Sequence, residues 1–258
     1  MEKAHRLASR ILAHPILLWW GAAVAIFVYP TDGVMVTYDA LCHSTRLDQI
    51  LSGAILPTKD ESTVYIDSQR YSCGSTAVNS PVGYWQESLP YALSENRIVT
   101  TIAVNSVVCT GLCALGMWLS GKWKRLLMAV RSMPVTLLSI AWTSPDAMSI
   151  SMTAIMPGCI LSLLDSGSWA RKHINAMTAV MVTTALVLGQ LKSSLCAIAV
   201  LPLLLPLLLR RKTFGWWRAV AVFITQAVST ITWMILSRGV TPVYCGLRES
   251  CAFFDSCR

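Results

Sequence analysis

Charge is what this sequence has least of: Asp, Glu, Lys and Arg make up 13% of its 258 residues, about half the share in an ordinary soluble domain. That shortage excludes a disordered chain, a secreted disulfide scaffold and a conventional soluble enzyme. Histidine is also scarce. His5, His14, His43 and His173 lie in separate segments, no two at ligand spacing, so the residues support no metal site and imply no cofactor; a divalent metal has no ligand set behind it. A phosphate-binding loop is missing too. Residues 116–123 read G-M-W-L-S-G-K-W, one residue short of that motif, with Trp123 where a hydroxyl would hold magnesium, and they close an apolar helix instead of following a strand.

Apolar sequence is abundant instead, at 54% of residues with a mean hydropathy of +0.55. Seven apolar stretches, 11–29, 98–119, 126–143, 147–164, 174–191, 195–209 and 219–236, approach spanning length. The fold class expected is all-α, a polytopic integral membrane protein of about seven transmembrane helices. The stretch 126–143 is interrupted by Arg131 and Pro134, so Arg131 is expected to snorkel toward an interface or to delay the span. The stretch 195–209 is short and contains Pro202 and Pro206.

With the N-terminus inside, residues 1–10, 120–131, 165–173 and 210–218 face the cytoplasm and hold 13 of the 21 Lys and Arg against two acids, Glu2 and Asp165. The positive-inside rule is then satisfied four times in succession. The net charge of +8 thus serves as a topology signal, and nucleic acid is not expected as a partner. The expected organisation is a cytoplasmic N-terminus and uncleaved first helix (1–29), an extracytoplasmic loop (30–97), a six-helix membrane bundle (98–236) and an extracytoplasmic tail (237–258). Four of the nine Cys fall within spans and five outside, an odd number for which sequence assigns no pairing.

Within the long loop, Ala40, Leu47, Leu51 and Ala54 share one helical face while Asp39, His43 and Arg46 share another. This pattern predicts an amphipathic helix lying at the membrane surface. Residues 71–90, rich in Gly, Ser, Pro and aromatics, are expected to be irregular. The candidate site residues are the ionisable groups at the outer ends of spans: Asp39, His43 and Arg46 on the loop helix, Arg97 before the second span, Asp146 before the fourth and Lys192 between the fifth and sixth. At that level cations suit a lipid phosphate and an acid can act as a base. Each also has a plainer role. Ser144-Pro145-Asp146 is a helix-start signature, Arg97 and Lys192 serve as interfacial anchors, and the Asp39 face could simply be solvated.

The run Tyr38-Asp39-Ala40-Leu41-Cys42-His43, followed by Arg46 and Gly53, resembles the "D-E-x-x-H, then Arg, then Gly" signature of a bacterial membrane-protein family called domain of unknown function 2142. Tyr84, Pro90 and Tyr91, then Arg97, Met133-Pro134, Ser144-Pro145-Asp146-Ala147 and Lys192 follow in the same order, so the likeness covers roughly residues 15–236. That family is similar to the GT-C glycosyltransferases, which take sugar from a polyprenyl-phosphate carrier on the outer side of the membrane. The resemblance implies a multi-pass protein of the bacterial plasma membrane with Asp39 as general base. His43, Arg46, Arg97, Asp146 and Lys192 would bind a lipid-phosphate-linked sugar donor used in envelope polysaccharide or glycolipid assembly. Ala40 replaces the family's Glu, and the family typically continues through further spans, so a truncated or degenerate copy is an expected alternative. A lipid-linked glycan transporter or flippase, and an inactive remnant, are the competing functions; oligomeric state is left open.

Overall fold

The computed structural model describes residues 14–28, 38–56, 63–66, 69–72, 79–95, 97–141, 144–165, 169–209 and 214–237. Among these, in chain order, the α-helices are α1 (Pro15–Val28), α2 (Tyr38–Leu51), α3 (Trp85–Leu93), α4 (Arg97–Leu119), α5 (Lys124–Arg131), α6 (Pro134–Ala141), α7 (Pro145–Leu164), α8 (Trp169–Lys172), α9 (Ile174–Leu191), α10 (Leu201–Leu208) and α11 (Trp216–Ser237). The fold is all-helical apart from one antiparallel hairpin, β1 (Thr63–Ile66) with β2 (Gln69–Ser72), registered Thr63 to Ser72 and Ile66 to Gln69. Among the described residues four helices are long and apolar enough to cross a membrane: α4 from Val99, α7, α9 and α11.

Proline sets several of the boundaries. Pro15, Pro134 and Pro145 each open a helix, where the missing N–H has no partner to lose and the fixed φ suits the first turn. Pro134 also divides the stretch expected to be one span, because the residue before a proline is driven out of the helical region. Residues 126–143 are accordingly not a single helix. The break between α5 and α6 is held by Trp19, whose Nε1 donates to Ser132 Oγ at 2.8 Å. Arg131 does not snorkel outward. Its guanidinium reaches across to α7, donating to the Ile150 carbonyl at 2.9 Å and to Thr153 Oγ1 at 3.1 Å.

Packing levels show how the segments run. Ile16, Cys113, Met117, Leu127 and Ala154 meet in one cluster, and Cys109, Ile140 and Ala147 in another. Residue numbers therefore rise together along α4 and α7 and fall along the intervening α5–α6 pair. A larger cluster joins α7, α9, α10 and α11 through Met156, Leu163, Met181, Leu205 and Val222. Residues 193–200 form a 3-10 helix that continues into α10. At about 2.0 Å per 3-10 residue and 1.5 Å per α residue this short segment reaches roughly 28 Å, close to the apolar thickness of a bilayer. One end of the bundle carries His14, Lys122, Lys124, Arg125, Arg171, Lys172 and Arg218, with Asp165 paired to Lys122 at 3.3 Å. The other end carries α2, α3 and the start of α7.

The loop is more ordered than its composition suggests. Residues 85–93 are helical despite Pro90, because Gln86, Glu87 and Tyr91 are buried and that packing overrides a poor local propensity. Helix α2 ends in a Schellman turn: Gly53 has φ +98°, its N–H donates to the Ile50 carbonyl, and the Ala54 N–H donates to Gln49. Its packed face is not the one expected. Cys42, His43, Arg46 and Leu47 are buried, whereas Leu51 is 44% exposed. Leu47 packs with Tyr84 and Tyr91, so α2 docks on protein through a face that mixes polar and apolar groups.

Candidate functional site

At the loop end of the bundle Asp146 meets Lys192 directly, and His43 and Arg46 connect to the same region through Tyr84 and Asn79. Ser144 caps α7, its Oγ accepting from the Asp146 N–H at 3.1 Å, and Pro145 occupies the first turn. This geometry holds the Asp146 carboxylate at the mouth of the bundle, where it meets Lys192 Nζ at 2.5 Å. Lys192 itself ends α9 in extended conformation just before the 3-10 helix. Both side chains of the pair are nearly half exposed, so the contact contributes only about 0–1 kcal/mol and opens easily.

Two cavities share Lys192 as a lining residue. One, of about 320 Å³, is lined by Asn79, Lys192, Ser193, Ser194, Thr230 and Trp233 among others. The other, of about 230 Å³, is lined by Asp146, Ser149, Thr153 and Lys192 with two apolar neighbours. Thr230 is 7% exposed, and its hydroxyl has no hydrogen-bond partner among the described residues. The 3-10 helix starts at the rim, so its first backbone N–H groups add positive potential there. An ammonium, serine hydroxyls, an unsatisfied threonine hydroxyl and a helix N-terminus are together suited to a phosphate and its polar substituents.

Helix α2 reaches this cavity through Asn79. The Asn79 carbonyl accepts from Arg46 Nε at 3.3 Å, and its side-chain amide donates to the Tyr84 hydroxyl at 3.3 Å. Tyr84 Oη in turn lies 2.5 Å from His43 Nδ1. Arg46 is fully buried and also donates to Gln49 Oε1, the Ala54 carbonyl and the Ile55 carbonyl, at 3.1–3.2 Å. Burial lowers its pKa and the nearby Tyr84 opposes that shift. Arg46 therefore locks the turn after α2 onto residue 79. Arg97 stands apart, paired with Asp48 at 3.2 Å and lying 5.1 Å from the centre of the Tyr91 ring. Asp39 begins α2 one turn before His43, and its side chain lies outside the described residues. Cys42 is disulfide-bonded, to a cysteine outside the described residues, whereas Cys109, Cys113, Cys159 and Cys196 are free.

Sequence reasoning passed over Asn79, Thr230 and, most of all, Glu87. Glu87 is fully buried in α3; its Oε1 accepts from Asn105 on α4 and from Gln86 Nε2 at 3.3 Å, while Oε2 has no hydrogen-bond partner among the described residues. Burial holds its carboxyl well above the ordinary carboxylate range, with Asn105, the Ser144 amide and Gln86 opposing the shift. An acid with a raised folded-state pKa contributes stability that is complete below its unfolded pKa and is lost as pH rises through the folded value. Thermal unfolding in detergent is therefore expected to occur at progressively lower temperature as pH rises above the ordinary Glu range. Glu87→Gln, which mimics the protonated acid, should flatten that slope and match or exceed the parent at the upper pH. An unchanged slope in the variant would remove Glu87 as its source.

Among the described residues no three His, Cys, Asp or Glu converge as a metal site. No family model, characterised protein or solved structure matches the chain.

Proposed function

We propose that this is a seven-crossing plasma-membrane protein, bacterial in type, that binds a polyprenyl-phosphate-linked sugar at the Lys192 cavity and transfers the sugar to an envelope acceptor. The observation that carries it is the cavity itself: Lys192 at the rim, held only by an exposed ion pair, and the unpaired Thr230 hydroxyl in its wall. In this scheme the basic end faces the cytoplasm and the loop end faces out. The crossings are α1, α4, the α5–α6 pair, α7, α9, the 3-10 segment with α10, and α11. The donor phosphate displaces Asp146 from Lys192, and Asp39 removes the acceptor's proton. His43 and Arg46 act mainly through Tyr84 and Asn79, by fixing the wall of the cavity, and Arg97 secures α2.

A test uses purified protein and a polyprenyl-phosphate sugar. Lys192→Ala should weaken donor binding about tenfold or more, given the usual strength of charge-assisted hydrogen bonds. Lys192→Glu should be worse, since an anion would then meet a like charge. Unchanged affinity in both, with normal folding, would return Lys192 to an anchoring role.

A lipid-linked glycan transporter draws support from a different observation. The buried Glu87–Asn105 contact and the inward reach of Arg131 place ionisable groups inside the bundle, where transporters hold theirs. Donor-dependent flipping in vesicles without any sugar transfer would favour that function.

A further inference from the structure

At the opposite end of the molecule, α1 and α4 leave a groove of about 490 Å³ between them, lined by His14, Ile16, Leu17, Gly111, Leu115 and Trp118 with Ala114. Its lining is overwhelmingly apolar, and Leu17, Leu115 and Trp118 remain 39%, 40% and 58% exposed. Its volume lies within the range of ligand pockets, about 300–1,000 Å³.

Among the described residues the polar end of the groove is short of acceptors. His14 Nδ1 lies 3.4 Å from the Ile16 N–H, and His14 Nε2 lies 3.5 Å from Lys124 Nζ. A neutral imidazole carries one N–H. If Nδ1 accepts from Ile16, Nε2 carries the proton and faces an ammonium, so two donors meet. If Nε2 accepts from Lys124, Nδ1–H faces the Ile16 N–H and two donors meet there instead. Either tautomer leaves two donors facing each other, an arrangement that an anion accepting from both would relieve. Two helix N-termini converge at the same spot, since His14 precedes α1 and Lys124 opens α5. The first turn of α5 has no acid and no side-chain cap, but carries Lys124 and Arg125, an arrangement that runs against the helix dipole until an anion is present. Asp165, the one acid at this end among the described residues, is engaged by Lys122. Deeper in, Trp20 Nε1 is buried without a hydrogen-bond partner among the described residues, 3.9 Å from where a Cβ on Gly111 would stand.

We infer that this groove is a binding site for one anionic phospholipid, its phosphate between Lys124 and His14 and an acyl chain along Gly111 and Leu115, with a lipid ester oxygen within reach of Trp20. Basic pockets between membrane helices at the cytoplasmic level are suited to such headgroups. The site is independent of the Lys192 cavity and of any sugar transfer.

The experiment places the full chain in bilayer discs of phosphatidylcholine, with or without one-fifth phosphatidylglycerol by design, and counts retained lipid by native mass spectrometry. The parent is expected to retain phosphatidylglycerol in preference to phosphatidylcholine by about tenfold or more. Lys124→Gln, which keeps the aliphatic stem, should erase the preference. Gly111→Leu, whose Cβ meets only Trp20 Nε1 at an ordinary 3.9 Å, should fill the groove and expel the lipid, while circular dichroism and elution volume stay those of the parent. Equal retention of both lipids by the parent, or unchanged preference in both variants, would overturn the assignment. So would glycerol phosphate binding equally to parent and Gly111→Leu, because that would mark a small-anion site with no role for the acyl groove.

Discussion

Gly158→Leu is expected to separate the two central helices and to cause the largest loss of stability of any single substitution in the bundle. Helices α4 and α7 cross where Gly116 and Gly158 face each other. A Cβ on Gly116 would stand 2.6 Å from the Ala154 carbonyl carbon and oxygen, and one on Gly158 would collide with the Gly116 carbonyl oxygen. These obstacles are backbone atoms, so no side-chain rotation relieves them and the helices themselves must shift. In a membrane, helix association depends on such close approach, because lipid tails offer no hydrophobic advantage to a looser contact. Overpacking of this kind costs about 3 kcal/mol, which lowers the Tm of a protein this size by roughly 6–12 °C. The shift should be read in detergent by thermal unfolding. Gly21→Ala is the control: nothing lies within 4 Å of a Cβ there, so it should be neutral or stabilising by about 0.5–1 kcal/mol. Equal Tm for Gly158→Leu and the parent would mean that the α4–α7 crossing is not as tight as described.

The parts of this arrangement legible in the sequence are those with a local cause. Ser144-Pro145-Asp146 announces a helix start through a cap, a fixed φ and an acid facing the dipole, and α7 starts there. Pro134 announces a break, and α6 begins on it. The four long apolar helices follow from hydropathy. What sequence could not show is where polar groups find their partners. The polar stripe of α2 looked ready for solvent or substrate, yet His43 and Arg46 are buried, because Tyr84 and Asn79 supply hydrogen bonds from about forty residues away in sequence. Arg131 is expected from sequence to snorkel toward an interface or to delay the span; α6 indeed starts only after it, and its terminal guanidinium nitrogens donate to the Ile150 carbonyl and Thr153 within the bundle. Glu87 sits in a polar segment, and Thr230 in an apolar helix, with nothing in the neighbouring residues to mark either one. The β1–β2 hairpin is too short and too weakly alternating for its pattern to stand out from the surrounding loop.

Asp39→Asn is expected to remove most sugar transfer while leaving the protein inserted and folded, because the described structure gives α2 its anchorage without it. The helix is fixed by Leu47 against Tyr84 and Tyr91, by His43 on Tyr84, by the Arg46 network, by the disulfide at Cys42 and by the Asp48–Arg97 pair. Asp39 lies in the first turn of α2, one turn before His43 and two before Arg46 in sequence. Asn79 lines the cavity beside Lys192, so a base arriving from the start of α2 would approach a phosphate-bound donor from the water side. Asparagine keeps the shape and a hydrogen-bonding group but cannot accept the acceptor's proton, and loss of a general base costs typically about 10²–10⁴ in rate. On the proposed function the rate constant for transfer should therefore fall by that factor, while donor binding, assigned there to Lys192, stays near the parent value. Lys192→Ala should show the converse, weaker binding first. Parent-like transfer by purified Asp39→Asn would remove Asp39 as the base and leave Asp146, already beside Lys192 at the mouth of the cavity, as the next carboxylate to replace.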